Sequence, residues 1–170
     1  MASKYDGLNR ETLEKMLADF AKNWLAHDGL WFQAVEKQYG IDKAIELDRE
    51  AWEQFTVIEA KRIMALHRIE PGSGLEGLKK ALDFRLYASL NEQSIENETE
   101  NSFDFYMIDC RVQSARKRKK MTLFPCKSVG IVEYAGFART IDPRIKTLCI
   151  GCPPDAQAGD KYYCGWRFSI

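Results

Sequence analysis

The hydrophobic pattern changes its period near Asn91, and this change constrains the fold more than any other feature of the sequence. Before it, apolar residues recur every three or four positions, as in helices with one buried face. After it, the segments 94–101 and 103–112 have the alternation and the aromatic and β-branched content of a strand hairpin. We therefore expect a single α+β domain over residues 1–170. Its helical half, residues 1–90, is expected to pack on a small, mostly antiparallel sheet in residues 91–170.

Local signals divide the helical half into four segments. Asn9 is the expected N-cap of a first helix, and Asp28 that of a short second helix. Asp42 is expected to cap a long third helix, which a Pro-Gly pair ends. Ser73 and Glu76 form the S-x-x-E pattern of a capping box, which predicts the start of a fourth helix.

The second half is predicted to add one helix and two more strands. The helix is expected over residues 126–141, and the strands over 145–150 and 162–170. The basic run at residues 116–120 is expected to be a solvated strand end and loop, partly neutralised by glutamates of the neighbouring strand. Cys110 is expected in the middle of a strand, as a core residue.

Four cysteines of this second half have the number and spacing of a zinc site. Cys149 and Cys152 form a C-x-x-C pair, with Cys126 upstream and Cys164 downstream. Four thiolates complete the tetrahedral coordination of zinc and are typical of structural sites. Cys126 follows Pro125 at an expected helix start, where the helix dipole favours a thiolate. The sequence therefore predicts a zinc site with four cysteine ligands. Ordinary buried cysteines, an iron–sulfur cluster and a redox-active pair are the alternatives that it leaves open.

The order of these cysteines resembles that of the 4-vinyl reductase domain, which is a small-molecule-binding α/β domain. The resemblance covers residues 90–170 and rests on Cys126, then Cys149-x-x-Cys152, then Cys164 in a final Cys-x-x-x-Phe strand. It implies a zinc site in this region, in which the second ligand is often Glu. In this sequence Cys149 takes that place.

Over its whole length the sequence resembles a family of uncharacterised prokaryotic cytosolic proteins. The resemblance rests on Asp28-Gly29-Leu30-Trp31-Phe32, on Asp48 with Trp52, and on Glu59-Ala60-Lys61-Arg62. That family is similar to the L-2-amino-thiazoline-4-carboxylic acid hydrolase group, which implies a ring-opening hydrolysis. The resemblance implies no particular catalytic residues in this chain.

Three acidic residues of the helical half are candidates for catalysis. If Asp28, Asp48 and Glu59 line a pocket with Trp31 and Trp52, burial would raise the pKa of a carboxylate there toward that of a general base. Asp48 and Glu59 fall on nearly the same helix face but ~16 Å apart, too far to share a proton or a metal ion. The structural alternatives are a helix cap at Asp28, ion pairs with basic neighbours, and aromatic residues in the core.

The balance of charge excludes several classes of partner. With 25 basic and 25 acidic residues, the chain has no net charge to attract nucleic acid or an anionic membrane surface. No apolar run reaches the ~18 residues of a membrane span, and an apolar signal segment is absent from the N-terminus. We therefore expect a cytosolic protein with a small-molecule ligand, no nucleic acid and no membrane. A homodimer is left open.

Three functional hypotheses follow from the sequence. The leading one is a zinc-stabilised cytosolic domain that binds a small organic ligand between its helical half and its sheet. The second is a hydrolase of a small cyclic C–N substrate, which requires at least two of the three candidate carboxylates in one cavity. The third is a redox protein that uses Cys149 and Cys152 as a metal-free pair.

Overall fold

Five α-helices and one four-stranded sheet make up the computed structural model, which describes residues 3–155 and 161–170. The helices are α1 (Arg10–Tyr39), α2 (Ile41–His67), α3 (Gly74–Leu82), α4 (Arg111–Arg118) and α5 (Lys127–Ile141), with a short 3₁₀ helix at Leu86–Ser89. The strands are β1 (Glu92–Thr99), β2 (Ser102–Asp109), β3 (Lys146–Gly151) and β4 (Cys164–Ser169). Their order is β1-β2-β4-β3, and each neighbouring pair is antiparallel. The predicted α+β class, with a helical N-terminal half, is confirmed.

Helix α1 continues through the position where the sequence predicted a new helix. Asn9 caps α1 as predicted, because its side chain accepts a 2.9 Å hydrogen bond from the backbone N–H of Thr12. Asp28 lies in the middle of α1 and caps no helix, so the predicted short second helix is wrong. Gly29 beside it lowers helix stability by about 1 kcal/mol relative to alanine. Packing of α1 along α2 outweighs that local preference.

Two other predictions of helix capping are wrong. Asp42 lies in the first turn of α2 rather than at its N-cap. Ser73 and Glu76 form no capping box, since the Ser73 side chain makes no capping hydrogen bond. The carboxylate of Asp142 accepts a 3.0 Å hydrogen bond from the N–H of Gly74 instead. The start of α3 is therefore capped by a residue that follows α5, far away in the sequence.

Helix α5 lies between α2 and one face of the sheet and forms the centre of the core. Gly130 brings α5 close to β4, because a Cβ at this position would lie 2.7 Å from the ring of Trp166. The largest buried side chains of this region come from the sheet and from α5; they are Trp166, Phe103, Phe105, Phe168, Tyr134 and Phe137. The predicted helix over 126–141 and the predicted strands are confirmed within a few residues at their ends.

The basic run at residues 116–120 belongs to the end of α4 and the turn after it, so its predicted place at a strand end is wrong. Arg116 is buried, and its guanidinium donates two 2.7 Å hydrogen bonds to the carboxylate of Glu36 on α1. Gln113 is also buried and is bonded in both directions to the backbone of Phe124, at 2.8 and 2.9 Å. The buried face of α4 is polar, which explains why its hydrophobic pattern indicated no helix.

In the described part of the chain, none of the helices is both long enough and apolar enough to cross a bilayer.

Candidate ligand cavity and cysteine cluster

A cavity of about 420 Å³ lies between the helical half and the sheet. Helices α1, α2, α4 and α5 contribute to its lining, together with residues from β2 and β4. Its aromatic walls are formed by Phe32, Trp52, Tyr87, Phe124, Tyr134 and Trp166. Ligand cavities in proteins have volumes of about 300–1,000 Å³ and mostly apolar walls. The cavity therefore has the size and the lining of a site for a small organic molecule.

Two of the three predicted acidic residues line this cavity. Asp28 reaches it from α1 and Asp48 from α2, whereas Glu59 is not part of the lining. Trp52 lines the cavity and is 6% exposed. Trp31 is 58% exposed and lies outside the lining, so its predicted role in the pocket is not supported.

Burial raises the pKa of both aspartates in the cavity. For Asp48, burial is the largest cause, the carboxylates of Asp28 and Glu133 act in the same direction, and a hydrogen bond with Trp52 opposes them. The resulting pKa of Asp48 is about 7. The pKa of Asp28 is also raised by burial, against the influence of His27. A carboxyl group with a pKa near 7 can accept or donate a proton at neutral pH, as general acid–base catalysis requires.

Beside the cavity, Arg85 is buried between two glutamates. Its Nε donates a 3.0 Å hydrogen bond to Glu59, and its Nη2 lies 2.9 Å from Glu59 Oε2 and 2.8 Å from Glu133 Oε1. Neither Nη2 of Arg85 nor Oε1 of Glu133 has an aligned hydrogen-bond partner in the described residues. Burial lowers the pKa of Arg85, but the two carboxylates raise it overall. Burial also raises the pKa of Glu133; Arg85 opposes this effect, and the charge of the neighbouring Glu59 adds to it.

Sequence reasoning missed Glu133, Arg85 and Tyr87, although Glu133 left a signal. Glu133 lies four residues after Val129 and four before Phe137, which places it on the apolar face of α5. An acidic residue in such a stripe is unusual enough to be a candidate for a site. Arg85 and Tyr87 follow α3 in a short irregular segment, where helical periodicity gives no information about which way a side chain faces.

The four predicted zinc ligands cluster where the start of α5 meets β3 and β4. All five cysteines are free thiols, and the Sγ atoms of Cys126 and Cys152 are 3.6 Å apart. Two thiolates bound to one tetrahedral zinc ion at ~2.3 Å lie ~3.8 Å apart, so this pair already has a suitable spacing. Within residues 3–155 and 161–170, however, no three His, Cys, Asp or Glu side chains have the full arrangement of a metal site. The residue types fit zinc, and one pair of sulfurs fits its geometry.

The remaining thiols of the quartet interact with this pair. Hydrogen bonding with Cys126 and Cys164, together with burial, raises the pKa of Cys152. Burial also raises the pKa of Cys149 to about 11, with smaller effects from Lys127 and the neighbouring cysteines. The Nε1 of Trp166 donates to the Sγ of Cys164 at 3.4 Å. The four thiols therefore influence one another electrostatically.

Cys110 lies at the same end of the molecule; it packs against the core as predicted, but it is not in the middle of a strand. It follows β2 and directly precedes α4. Burial raises the pKa of its thiol to about 12. Cys110 lines the cavity, as do Cys126, Cys152 and Cys164 of the predicted quartet. The cysteine cluster and the acidic residues thus border one continuous space.

The family model that matches this chain spans both features. The chain belongs to DUF6125, a family of unknown function. The match covers residues 6–170, and so includes the cavity and the cysteine cluster. No curated protein matches the sequence. The resemblances to the aminothiazoline-carboxylate hydrolase group and to the 4-vinyl reductase domain stay predictions.

Proposed function

We propose that this member of DUF6125 is a cytosolic domain that binds a small organic ligand in the cavity between its helical half and its sheet. The cavity itself carries the proposal: it offers about 420 Å³ of space, aromatic walls, and acidic, basic and amide side chains in its lining. Most small-molecule sites combine these features, because apolar walls provide affinity and a few polar groups fix the ligand's orientation. All five cysteines are free thiols, in keeping with a cytosolic location, where disulfides rarely persist.

A substitution at Gly29 tests whether the cavity is the binding site. Gly29 lines the cavity, and a Cβ at this position would meet its nearest neighbour, the Gln33 side chain, at 3.9 Å. Gly29→Leu should therefore fill space in the cavity while improving the helix propensity of α1. We expect the uncharged fluorescent probe Nile red to bind the unchanged protein and to lose most of its affinity for Gly29→Leu.

The matched control is Gly7→Leu, which makes the same change at a position with no heavy atom within 4 Å of the added Cβ. It should bind Nile red as the unchanged protein does. Equal probe fluorescence with Gly29→Leu and Gly7→Leu, or no fluorescence with any of the proteins, would contradict the proposed site.

In this proposal, zinc held by Cys126, Cys149, Cys152 and Cys164 stabilises the end of the cavity. The 3.6 Å spacing of two of the sulfurs and the hydrogen bonding of Cys152 with two neighbouring thiols support this ligand set. Four thiolates occupy every position of a tetrahedral ion, so zinc bound this way serves structure and does not activate water. It would connect α5 to the two strands at the edge of the sheet, because the ligands come from or directly adjoin these elements.

Metal analysis of the purified protein tests the zinc proposal. We expect about one zinc per chain and no visible absorption, and we expect Cys152→Ser to lose both the zinc and much of the stability toward urea. Cys110→Ser is the matched control, since it removes a nearby thiol outside the quartet and should retain the metal. Iron with charge-transfer bands, or unchanged zinc content in Cys152→Ser, would contradict the proposed set of ligands.

A hydrolase is the second candidate function, because Asp28 and Asp48 line one cavity and Asp48 has a pKa of about 7. In the proposed step, the Asp48 carboxylate removes a proton from a water molecule as the water oxygen attacks the ring carbon of a cyclic C–N substrate. The C–N bond breaks as the attacking oxygen becomes a carbonyl oxygen, and both protons of the water pass to the departing nitrogen, the first of them by way of Asp48. Substrate and water are consumed in equal amounts, and Asp48 returns to its starting state.

The probe for this reaction is 2-aminothiazoline-4-carboxylate, with mass spectrometry to detect the addition of one water. Because the base must be deprotonated, we expect the rate to rise with pH through about 7. Asp48→Asn should abolish turnover, while Glu50→Gln, an exposed carboxylate two residues along the same helix, should not change it. Turnover that survives in Asp48→Asn would exclude this base.

A further inference from the structure

Three carboxylates line the cavity, and of these only Glu133 is paired with a cation of the described residues. Within residues 3–155 and 161–170, neither Asp28 nor Asp48 takes part in an ion pair. His27 lowers the pKa of Asp28, but burial outweighs it. Glu133 also lines the cavity, and it shares one cation with Glu59, because Nη2 of Arg85 lies 2.8 Å from its Oε1 and 2.9 Å from Oε2 of Glu59. The three residues come from three different helices, α1, α2 and α5, and their charges interact.

Five basic residues also line the cavity, and in the described part of the chain none of them forms an ion pair with Asp28 or Asp48; they are Lys22, Arg111, Arg116, Arg118 and Lys119. Arg116 binds the Glu36 carboxylate through both of its terminal nitrogens. Lys119 donates to the side chain of Gln33 at 2.8 Å, and Lys22 donates to Asp19 at 3.2 Å. These contacts join Arg116 and Lys22 to other carboxylates, and Lys119 to an uncharged side chain of the same lining.

The aromatic walls of the cavity already stabilise one cation, the guanidinium of Arg85. Its central carbon lies 5.8 Å from the ring centre of Trp52, 5.7 Å from that of Tyr87 and 5.3 Å from that of Tyr134. Aromatic faces within about 6 Å attract cations most strongly where water is excluded. Arg85 is therefore a cation that aromatic faces and carboxylates bind together within this protein. The same three rings also line the cavity.

We propose that the cavity selects an organic cation, a protonated amine with an apolar body, whose charge lies against Asp28 and Asp48 and whose body packs on the aromatic walls. This inference rests on the proposed function, because it names the chemical class of the ligand for the same cavity. The geometry accounts for both parts of such a ligand. The carboxylates provide the counter-charge, and the rings provide the apolar surface and the cation–π contact.

The raised pKa of Asp48 adds an observable consequence. At pH 7 this group is partly protonated, since its pKa is about 7. A bound cation favours the ionised carboxylate, so binding should release protons near neutral pH. Release of protons on binding is measured by calorimetry in buffers that differ in their heat of ionisation.

Three compounds of similar shape and different charge test the selection. Benzylamine is a cation at pH 8, benzyl alcohol is uncharged and benzoate is an anion. We expect benzylamine to bind at least tenfold more tightly than benzyl alcohol by calorimetry, and benzoate to bind the most weakly. Asp48→Asn should remove most of the preference for the amine, Asp28→Asn should reduce it, and Glu50→Gln should retain it.

The outcomes separate this inference from the proposed function. If benzyl alcohol or benzoate binds as tightly as benzylamine, the cavity does not select cations, although it still binds ligands. If none of the three binds while Nile red does, the selection for a cation is again wrong and the cavity site stands. If Nile red also fails to bind, the proposed function itself is overturned.

Discussion

Glu59 and Asp48 lie on the same helix, and the protein compensates their charges in different ways. Glu59 is buried against the guanidinium of Arg85, at distances of 2.9 and 3.0 Å. Asp48 borders the cavity and forms no ion pair in the described residues, and its pKa is about 7 as a result of burial and of the nearby Asp28 and Glu133. The first carboxylate is compensated by the fold, whereas the second is left to be compensated by a proton or by a ligand.

This difference separates a structural charge from a functional one. Removing one partner of a buried ion pair leaves the other charge without compensation, so such a pair strongly resists single substitutions. A carboxylate without a partner lowers the stability of the fold when it is ionised, and proteins commonly retain such groups at functional sites. On this basis we assign Arg85 and Glu59 to the framework, and we propose Asp28 and Asp48 as residues of the site.

The largest effect is expected from Arg85→Met, which removes the cation that compensates the charge of Glu59. It leaves Glu59 and Glu133 buried without their cation, and we expect a loss of about 3–5 kcal/mol in the free energy of unfolding. Urea unfolding followed by circular dichroism measures the loss. Arg62→Met, at an exposed position of the same helical half, should change stability by less than about 0.5 kcal/mol. Equal effects of the two substitutions would show that Arg85 is not a structural charge.

A smaller effect of opposite sign is expected from Asp48→Asn. The pKa of Asp48 is about 7 in the folded protein against a usual value of 3.8. Between these values the folded state binds more protons than the unfolded state, so stability falls as pH rises toward 7. Above pH 7 the ionised carboxylate is fully destabilising. We therefore expect Asp48→Asn to raise the free energy of unfolding by roughly 1–3 kcal/mol at pH 8 and to change it little at pH 4.

Urea unfolding at the two pH values measures this difference. Glu50→Gln, an exposed change of the same kind on the same helix, should leave stability unchanged at both. A loss of stability in Asp48→Asn at pH 8 would place Asp48 among the compensated, structural charges.

The smallest effect is expected from Asp28→Asn. This substitution tests how far the charge of Asp28 influences the titration of Asp48. The charge of Asp28 is one cause of the raised pKa of Asp48, after burial. Removing it should shift the titration of Asp48 to lower pH and raise stability at pH 8 by about 0.5–1 kcal/mol. Trp52, which contacts Asp48 through a hydrogen bond, reports the titration through its fluorescence. An unchanged midpoint would mean that the two carboxylates titrate independently.

The cavity could be predicted only in part, because a helical pattern indicates a face but not the neighbour of each residue. Asp48 and Glu59 were predicted on nearly the same face of one helix, and they are on it. Their surroundings differ because Glu59 contacts Arg85, whereas Asp48 lines the cavity. Trp31 was predicted in the pocket on the strength of its residue type, yet α1 presents it to solvent.

Helix α4 shows the same limit for a whole element. Its buried residues, Gln113 and Arg116, are polar, and their hydrogen bonds go to Phe124 and Glu36, which lie outside the helix. A hydrophobic pattern cannot predict a helix that is held in place by polar contacts with other elements. The start of α3 is a further example, since Asp142 caps it in place of Ser73.

The sequence by itself determined the change from helices to strands near Asn91, the cap at Asn9 and the grouping of candidate zinc ligands around the C-x-x-C pair. These features depend on residues close together in the chain, where periodicity and backbone hydrogen bonding act directly. Only the tertiary structure decided which acidic residues share a cavity, which one Arg85 compensates, and that Glu133 joins them. Those outcomes depend on burial and on charges brought together from distant parts of the chain, and no local pattern contains that information.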